Sequence, residues 1–229
     1  MKAEKGFARK IKKSLLEQIM RKTAIFLLLV ISAIFVWCFY STKHYNGVDI
    51  SHHNHVNWEA MSNDPNIEFC YIKATEGNHF RDPNCLEYVK RANSCNLHVG
   101  IYHYFRTHTS VKEQFDLFMS VYKRVNTDLI PVIDVERKNN VLDNSTNDSL
   151  ALLIDLFYRE FHQYPLVYLG NLDAYRTYPV IRKCPLWHRT MKFSGLVPFL
   201  SMKQVGIKKI GGDKTDIDYC SDINMLRKM

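Results

Sequence analysis

The sequence predicts an α/β fold: a β/α barrel with few helices among its last strands, preceded by a single N-terminal transmembrane helix. Three observations carry this. Short runs rich in β-branched and aromatic residues alternate with segments of helical periodicity from about residue 45 onward, the pattern that builds parallel sheets. After Tyr168 the strand-like runs continue but convincing helices do not, which suits a barrel whose last strands are joined by loops. Ahead of all this lies a long uncharged apolar stretch. An open doubly wound sheet is the alternative arrangement of the same elements.

The apolar stretch comes first in the chain. No charged residue occurs from Thr23 to Thr42, and Ala24 to Tyr40 reads AIFLLLVISAIFVWCFY, close to the roughly 20 residues that cross a bilayer. The 22 residues before it hold eight Lys or Arg against two acids, which predicts a cytoplasmic N-terminus. A cleaved signal peptide is the competing reading. It suits the chain less well, because the apolar core exceeds the roughly 7–15 residues of a signal core and VWCFYSTKHY offers no small-residue cleavage site. The expected organisation is therefore a basic cytoplasmic tail (1–22), a membrane anchor (23–42) and a domain on the outer side of the cytoplasmic membrane (43–229).

Charge follows the same division. The chain carries +8, of which +6 falls in the first 22 residues, so the pI of about 9.1 reports topology and gives no support for a nucleic-acid partner. At 46% apolar and 24% charged residues, the remainder has ordinary globular composition. Its five cysteines (Cys70, Cys85, Cys95, Cys184, Cys220) lack metal-ligand spacing. They read as small buried apolar groups, with Cys85 and Cys95 the one close pair.

The expected strands are YNGVDIS (45–51), IEFCYIKAT (67–75), HVGIYHYF (98–105), LIPVIDVE (129–136) and PLVYLG (165–170), followed by PLWHR (185–189), LSMKQVG (200–206) and TDIDY (215–219). Helices are expected in NWEAMSN (57–63), DPNCLEYVKRANSCN (82–96), SVKEQFDLFMSVYKRVN (110–126) and SLALLIDLFYREFHQ (149–163). The last two repeat apolar residues at helical spacing, among them Phe115, Phe118, Met119 and Tyr122, a packing signal. The polar stretch 139–149 reads as a loop. Its two Asn-x-Ser/Thr matches matter only in a eukaryotic secretory context.

Two acids, Asp134 and Glu136, close the strand PVIDVE, and Asp49 closes the first strand. In parallel β/α architectures the carboxyl ends of strands form the open crevice. Residues i and i+2 share a face, with Cβ atoms roughly 6–7 Å apart, so Asp134 and Glu136 project together. Two carboxylates this close and shielded from water cannot both ionise cheaply, and an acid that keeps its proton serves as a general acid. Paired acids of this kind cleave glycosidic bonds. A strand-end salt bridge to Arg137, Lys138 or Lys73 is the structural alternative.

GVDISHHNHVNW (47–58), YIKATEGNHFRDPN (71–84), VGIYHYF (99–105), PVIDVE (131–136) and PLVYLG (165–170), in this order, resemble the motifs of glycoside hydrolase family 25, the Chalaropsis-type lysozymes. The resemblance covers about residues 45–222. It implies a TIM-like barrel of about eight strands and cleavage, without metal or organic cofactor, of the β-1,4 bond between N-acetylmuramic acid and N-acetylglucosamine in peptidoglycan. The implied partners are peptidoglycan strands and, through the anchor, the membrane. It also implies Glu136 as proton donor and Asp134 as its partner, orienting the substrate's acetamido group or stabilising the cationic transition state. Asp49 and Asp216 would hold the charge pattern of the site. Asp213 and Asp218 compete for the last place.

Four further residues are expected at the substrate: Tyr168 to stack on a sugar, His103 near the cleft floor, and Lys73 with Glu76 in support. His103 reads equally well as a hydrogen-bonded core histidine, and Tyr102 and Tyr104 read as packing. His52, His53 and His55 read as a polar loop beside the cleft, with no metal site. Two departures from the family pattern stand out. PLWHRT (185–190) replaces LWIAxY, and KQVGI (203–207) replaces WQYTS, which alters the sugar-stacking surface. A non-catalytic peptidoglycan-binding protein that retains the fold is the competing function.

Overall fold

The computed structural model describes residues 2–41, 44–136, 144–170, 174, 177–189 and 200–229, with the side chains of the first helix described over 16–35. Two compact units divide the chain at Lys43 and His44. The first is one helix, α1 (Lys2–Ser41). Within it Leu16–Phe35, at mean hydropathy 1.7, is long and apolar enough to cross a membrane.

The second unit is a closed barrel. In chain order its elements are β1 (Gly47–Ile50), α2 (Trp58–Ser62), β2 (Phe69–Glu76), β3 (Phe80–Arg81), α3 (Cys85–Ser94), β4 (His98–Tyr104), α4 (Val111–Tyr122), β5 (Val132–Val135), α5 (Asn144–Phe161), β6 (Leu166–Leu169), β7 (Leu186–Arg189), β8 (Leu200–Ile210) and β9 (Asp213–Cys220). Short 3₁₀ turns span Pro179–Lys183 and Ile223–Leu226. Eight strands form the ring in the order β1-β9-β8-β7-β6-β5-β4-β2, and β2 closes back on β1. β3 is a short flap paired antiparallel to the end of β2.

Seven ring strands run parallel, as the alternating pattern predicts, and the eighth corrects it. β9 runs antiparallel to both β8 and β1. The cause is the two-residue turn Gly211-Gly212, whose φ of 62° and 101° suits glycine. A link this short can only join antiparallel strands. A second correction concerns 139–149: α5 already begins at Asn144, and 137–143 lie outside the described residues. Asn, Ser, Thr and Asp read as loop by composition, yet they are also the residues that start helices.

Strand parity divides the core into two layers. Inward side chains, including Tyr71, Val132, Leu166, Trp187 and Met202, fill the barrel. Outward ones, including Ile72, Ile101, Ile133 and Val167, pack against α3, α4 and α5, which contribute Val89, Phe118 and Phe157. Ser110 caps α4 by accepting from the backbone N–H of Glu113. Cys70, Cys85, Cys184 and Cys220 are buried thiols, and Cys95 is partly buried.

Candidate active site

The strands surround a cavity of about 570 Å³. Its wall takes Asp49 from β1, Lys73 and Glu76 from β2, and Tyr102 and Tyr104 from β4. Asp134 and Glu136 come from the end of β5, Tyr168 from β6, and Trp187 and Arg189 from β7. Gln204 and Ile207 come from β8 and Asp216 from β9, while Ser51, His53 and Arg106 enter from loops.

The acids on β5 owe their direction to parity. Ile133 and Val135 pack outward beneath the helices, so Asp134 and Glu136 turn inward. Asp134 sits level with Tyr104 and Tyr168 on the flanking strands and is only 9% exposed. Its Oδ1 is buried with no hydrogen-bond partner among the described residues. Burial, then the charges of Glu136 and Asp49, push its pKa well above the usual carboxylate range. Glu136 lies higher, with the Tyr104 hydroxyl 3.5 Å from its Oε2. Gly170 lies beside it, where an added Cβ would stand in ordinary contact, 3.4 Å from Oε1.

On β2 the spacing is irregular. Lys73 and Thr75 pair with the adjacent residues Tyr102 and His103, so Ala74 is bulged out. The bulge resets parity and lets both Lys73 and Glu76 face the cavity. Lys73 Nζ donates to Glu76 Oε2 at 2.5 Å, and Arg106 donates to Oε1 through Nε at 3.0 Å. Burial alone would raise Glu76, but these hydrogen bonds overrule it and hold its carboxyl below the usual range. The Tyr104 ring takes both cations, Lys73 at 5.0 Å and Arg106 at 4.9 Å from its centroid.

Across the barrel, Tyr168 donates to Gln204 Oε1 at 3.0 Å, and Gln204 Nε2 donates to Asp49 Oδ2 at 2.8 Å. Asp216 is the cross-strand neighbour of Asp49. Burial and the charge of Asp216 push Asp49 up to about 7, against the opposing hydrogen bond from Gln204. Beneath them Asp218 is fully buried and accepts from Trp187 Nε1 at 3.0 Å. Burial and the charges of Asp49 and Asp216 raise its pKa as well. The cavity is thus an acid-rich cleft in which burial raises the pKa of Asp49, Asp134 and Asp216.

A model of the family described as Glycosyl hydrolases family 25 matches residues 48–191, more than half of the chain. The chain belongs to glycosyl hydrolases family 25. It is similar to the family 25 glycosyl hydrolase from Bacillus anthracis, whose structure it matches at a TM-score of 0.65 and 25% identity over 78% of this chain and 90% of that one. It is 25% identical over 130 residues to the uncharacterized protein YegX of Escherichia coli (strain K12), covering 55% of this chain and 48% of that protein. It is 32% identical over 100 residues to Lysozyme M1 of Streptomyces globisporus, covering 42% and 34%. The chain spans about half the length, or less, of these two relatives.

In this family 25 domain the structure brings seven of the eight expected site residues to one cavity: Asp49, Lys73, Glu76, Asp134, Glu136, Tyr168 and Asp216. His103 is the exception and corrects the expectation. Tyr102 and Tyr104 face inward, so His103 must face outward, where it is fully buried beside the Phe118 ring of α4. Its ring nitrogens meet Thr75 Oγ1 at 2.8 Å and Gln114 Oε1 at 3.0 Å, and burial drops its pKa to about 4. Of the competitors for the late acid, Asp213 accepts from the His55 backbone at the hairpin and Asp218 lies below the cavity. Tyr102 packs against the inner core, as its reading has it, and also lines the cavity; Tyr104 lines the cavity too and stacks beneath Lys73 and Arg106. Gln204 joins the site without an expectation from its own residue type; its one signal is that it is the Gln shared by KQVGI and the family's WQYTS. His52 bonds Asp82 through Nδ1 at 2.8 Å, and among the described residues no group of three metal-ligating side chains converges.

Proposed function

We propose that this protein is an N-acetylmuramidase, hydrolysing the β-1,4 bond between N-acetylmuramic acid and N-acetylglucosamine in peptidoglycan, for remodelling or catabolism of the wall. The observation that carries the reading is the Asp134–Glu136 pair at the end of β5, set in an acid-lined cavity of a family 25 barrel. The similarity to Lysozyme M1 supports it.

Glu136, the outer acid, protonates the leaving glycosidic oxygen. Asp134 receives the N–H of the substrate's acetamido group and orients it, or faces the cationic anomeric centre. Burial and the neighbouring acids raise the pKa of Asp134. An N–H donor or a developing cation favours the Asp134 carboxylate. The leaving sugar departs with the donated proton, water adds to the anomeric carbon, and the proton that water loses returns to the Glu136 carboxylate. Asp49 and Asp216 complete the negative field, Tyr168 offers a ring to the sugar, and Lys73 with Glu76 supports the wall of the cleft. α1 tethers the domain to the outer face of the cytoplasmic membrane, with the basic N-terminus inside.

The test is to incubate the full chain in detergent micelles with purified peptidoglycan and identify new reducing ends by mass spectrometry. Ends at muramic acid are expected from the wild type, with a loss of at least about 100-fold in Glu136→Gln, the usual scale for general acid catalysis. The changed segments around Trp187 and Lys203 favour one other reading, a non-catalytic glycan binder. Binding without new ends from several wall chemistries would support that reading.

A further inference from the structure

The altered end of β7 holds a charge that the acids leave unused. Arg189 closes β7, is exposed, and lines the cavity. It stands where the family pattern LWIAxY has the small Ala. The other basic side chains of the wall apart from histidine, Lys73 and Arg106, are both engaged by Glu76. Among the described residues Arg189 makes no hydrogen bond or ion pair. Burial raises the pKa of Asp216 and the charge of Arg189 opposes that rise, without the two coming within ion-pair distance. Among the described residues of the wall, Arg189 is thus the cation that no carboxylate engages, and the one with which an anionic substituent on a ligand can pair. β7 lies two strands from β5, about 10 Å at the ~4.8 Å strand spacing. That is within reach of a group carried on a sugar held at the acids.

We propose that Arg189 forms a carboxylate subsite that selects an anionic muramyl residue, through the planar fork a guanidinium offers to carboxylates. The carboxylate is either the free lactyl group of a peptide-stripped strand or an acid of the attached peptide. The proposal rests on the wall-glycan reading of the same cavity.

The experiment titrates the full chain in micelles with three muramyl oligosaccharides of one length: lactyl group free, lactyl group as the methylamide, and lactyl group bearing an acidic dipeptide. Calorimetry reads the affinity and mass spectrometry reads cleavage in parallel. Expected is about tenfold tighter binding of an anionic form over the methylamide, the scale of one charge-assisted pair. The preference falls to within twofold in Arg189→Ala, is intermediate in Arg189→Lys, and shrinks as added salt screens the charge. Whichever anionic form shows the Arg189-dependent gain identifies the source of the carboxylate. Equal binding of all three forms by the wild type overturns the subsite, as does a preference that survives Arg189→Ala. Arg189-dependent binding with no cleavage overturns the hydrolase reading alone, and cleavage without preference overturns the subsite alone.

Discussion

Asp49 shows what a single residue costs the fold for the sake of its site. Its folded pKa, about 7, lies above its ordinary value of 3.8. Below about pH 4 the carboxyl is protonated in folded and unfolded chains alike, and no penalty exists. Between about 4 and 7 the unfolded chain ionises first, so stability is lost as pH rises through this window and stays lost above it. Asp49→Asn should therefore melt higher than the wild type at pH 8, by about 2–4 °C for each kcal/mol recovered, and show no gain at pH 4. Thermal scans at the two pH values check this, and an equal gain at both would count against it. Gln204→Ala removes the donor to Asp49 and the acceptor of Tyr168, with an expected loss of about 1–3 kcal/mol in urea unfolding. Much at this scale was legible in the sequence. The D-x-E spacing forces Asp134 and Glu136 onto one face whatever the tertiary context. Lys73 and Glu76 were harder, because residues three apart on a regular strand face opposite ways and only the bulge at Ala74 brings them together.

Elements followed the sequence where one periodicity ruled. α3 and α4 and the five early strands lie within the segments expected of them or overrun them by a residue. Tertiary pairing decided the rest. The direction of β9 depends on the Gly211-Gly212 turn, a hairpin signal that the parallel pattern obscured. β3 has two residues and exists only as a partner for the end of β2, too short to leave a pattern. Gly100 in β4 shows how tightly the strands meet inside the ring. A Cβ there would run into the Tyr71 ring, whose hydroxyl is tied to the Ile130 carbonyl at 3.2 Å. Gly100→Ala should cost about 1–3 kcal/mol by overpacking, seen as a lower urea midpoint at unchanged slope. A neutral substitution would mean that Tyr71 has room to yield. At α4, Ser110→Ala should cost about 1 kcal/mol through loss of its cap.

At the scale of the whole molecule, the apolar helix and the barrel are separate compact units. If α1 spans the membrane, the full chain stays with the membrane fraction through an alkaline carbonate wash, and deletion of residues 1–43 leaves the barrel in the soluble fraction. Release of the full chain by the wash would rule the anchor out. The barrel itself closes by joining its first strand to its last: β9 enters between β8 and β1 and sets Asp216 beside Asp49, 167 positions away in the chain. Gln204, on the strand before, completes the same cluster. Contacts this distant in sequence form late and slowly. A nascent chain therefore already carries the acids of β5 while it has no finished cleft around them. The order of synthesis thus leaves the candidate site unfinished until the barrel has closed.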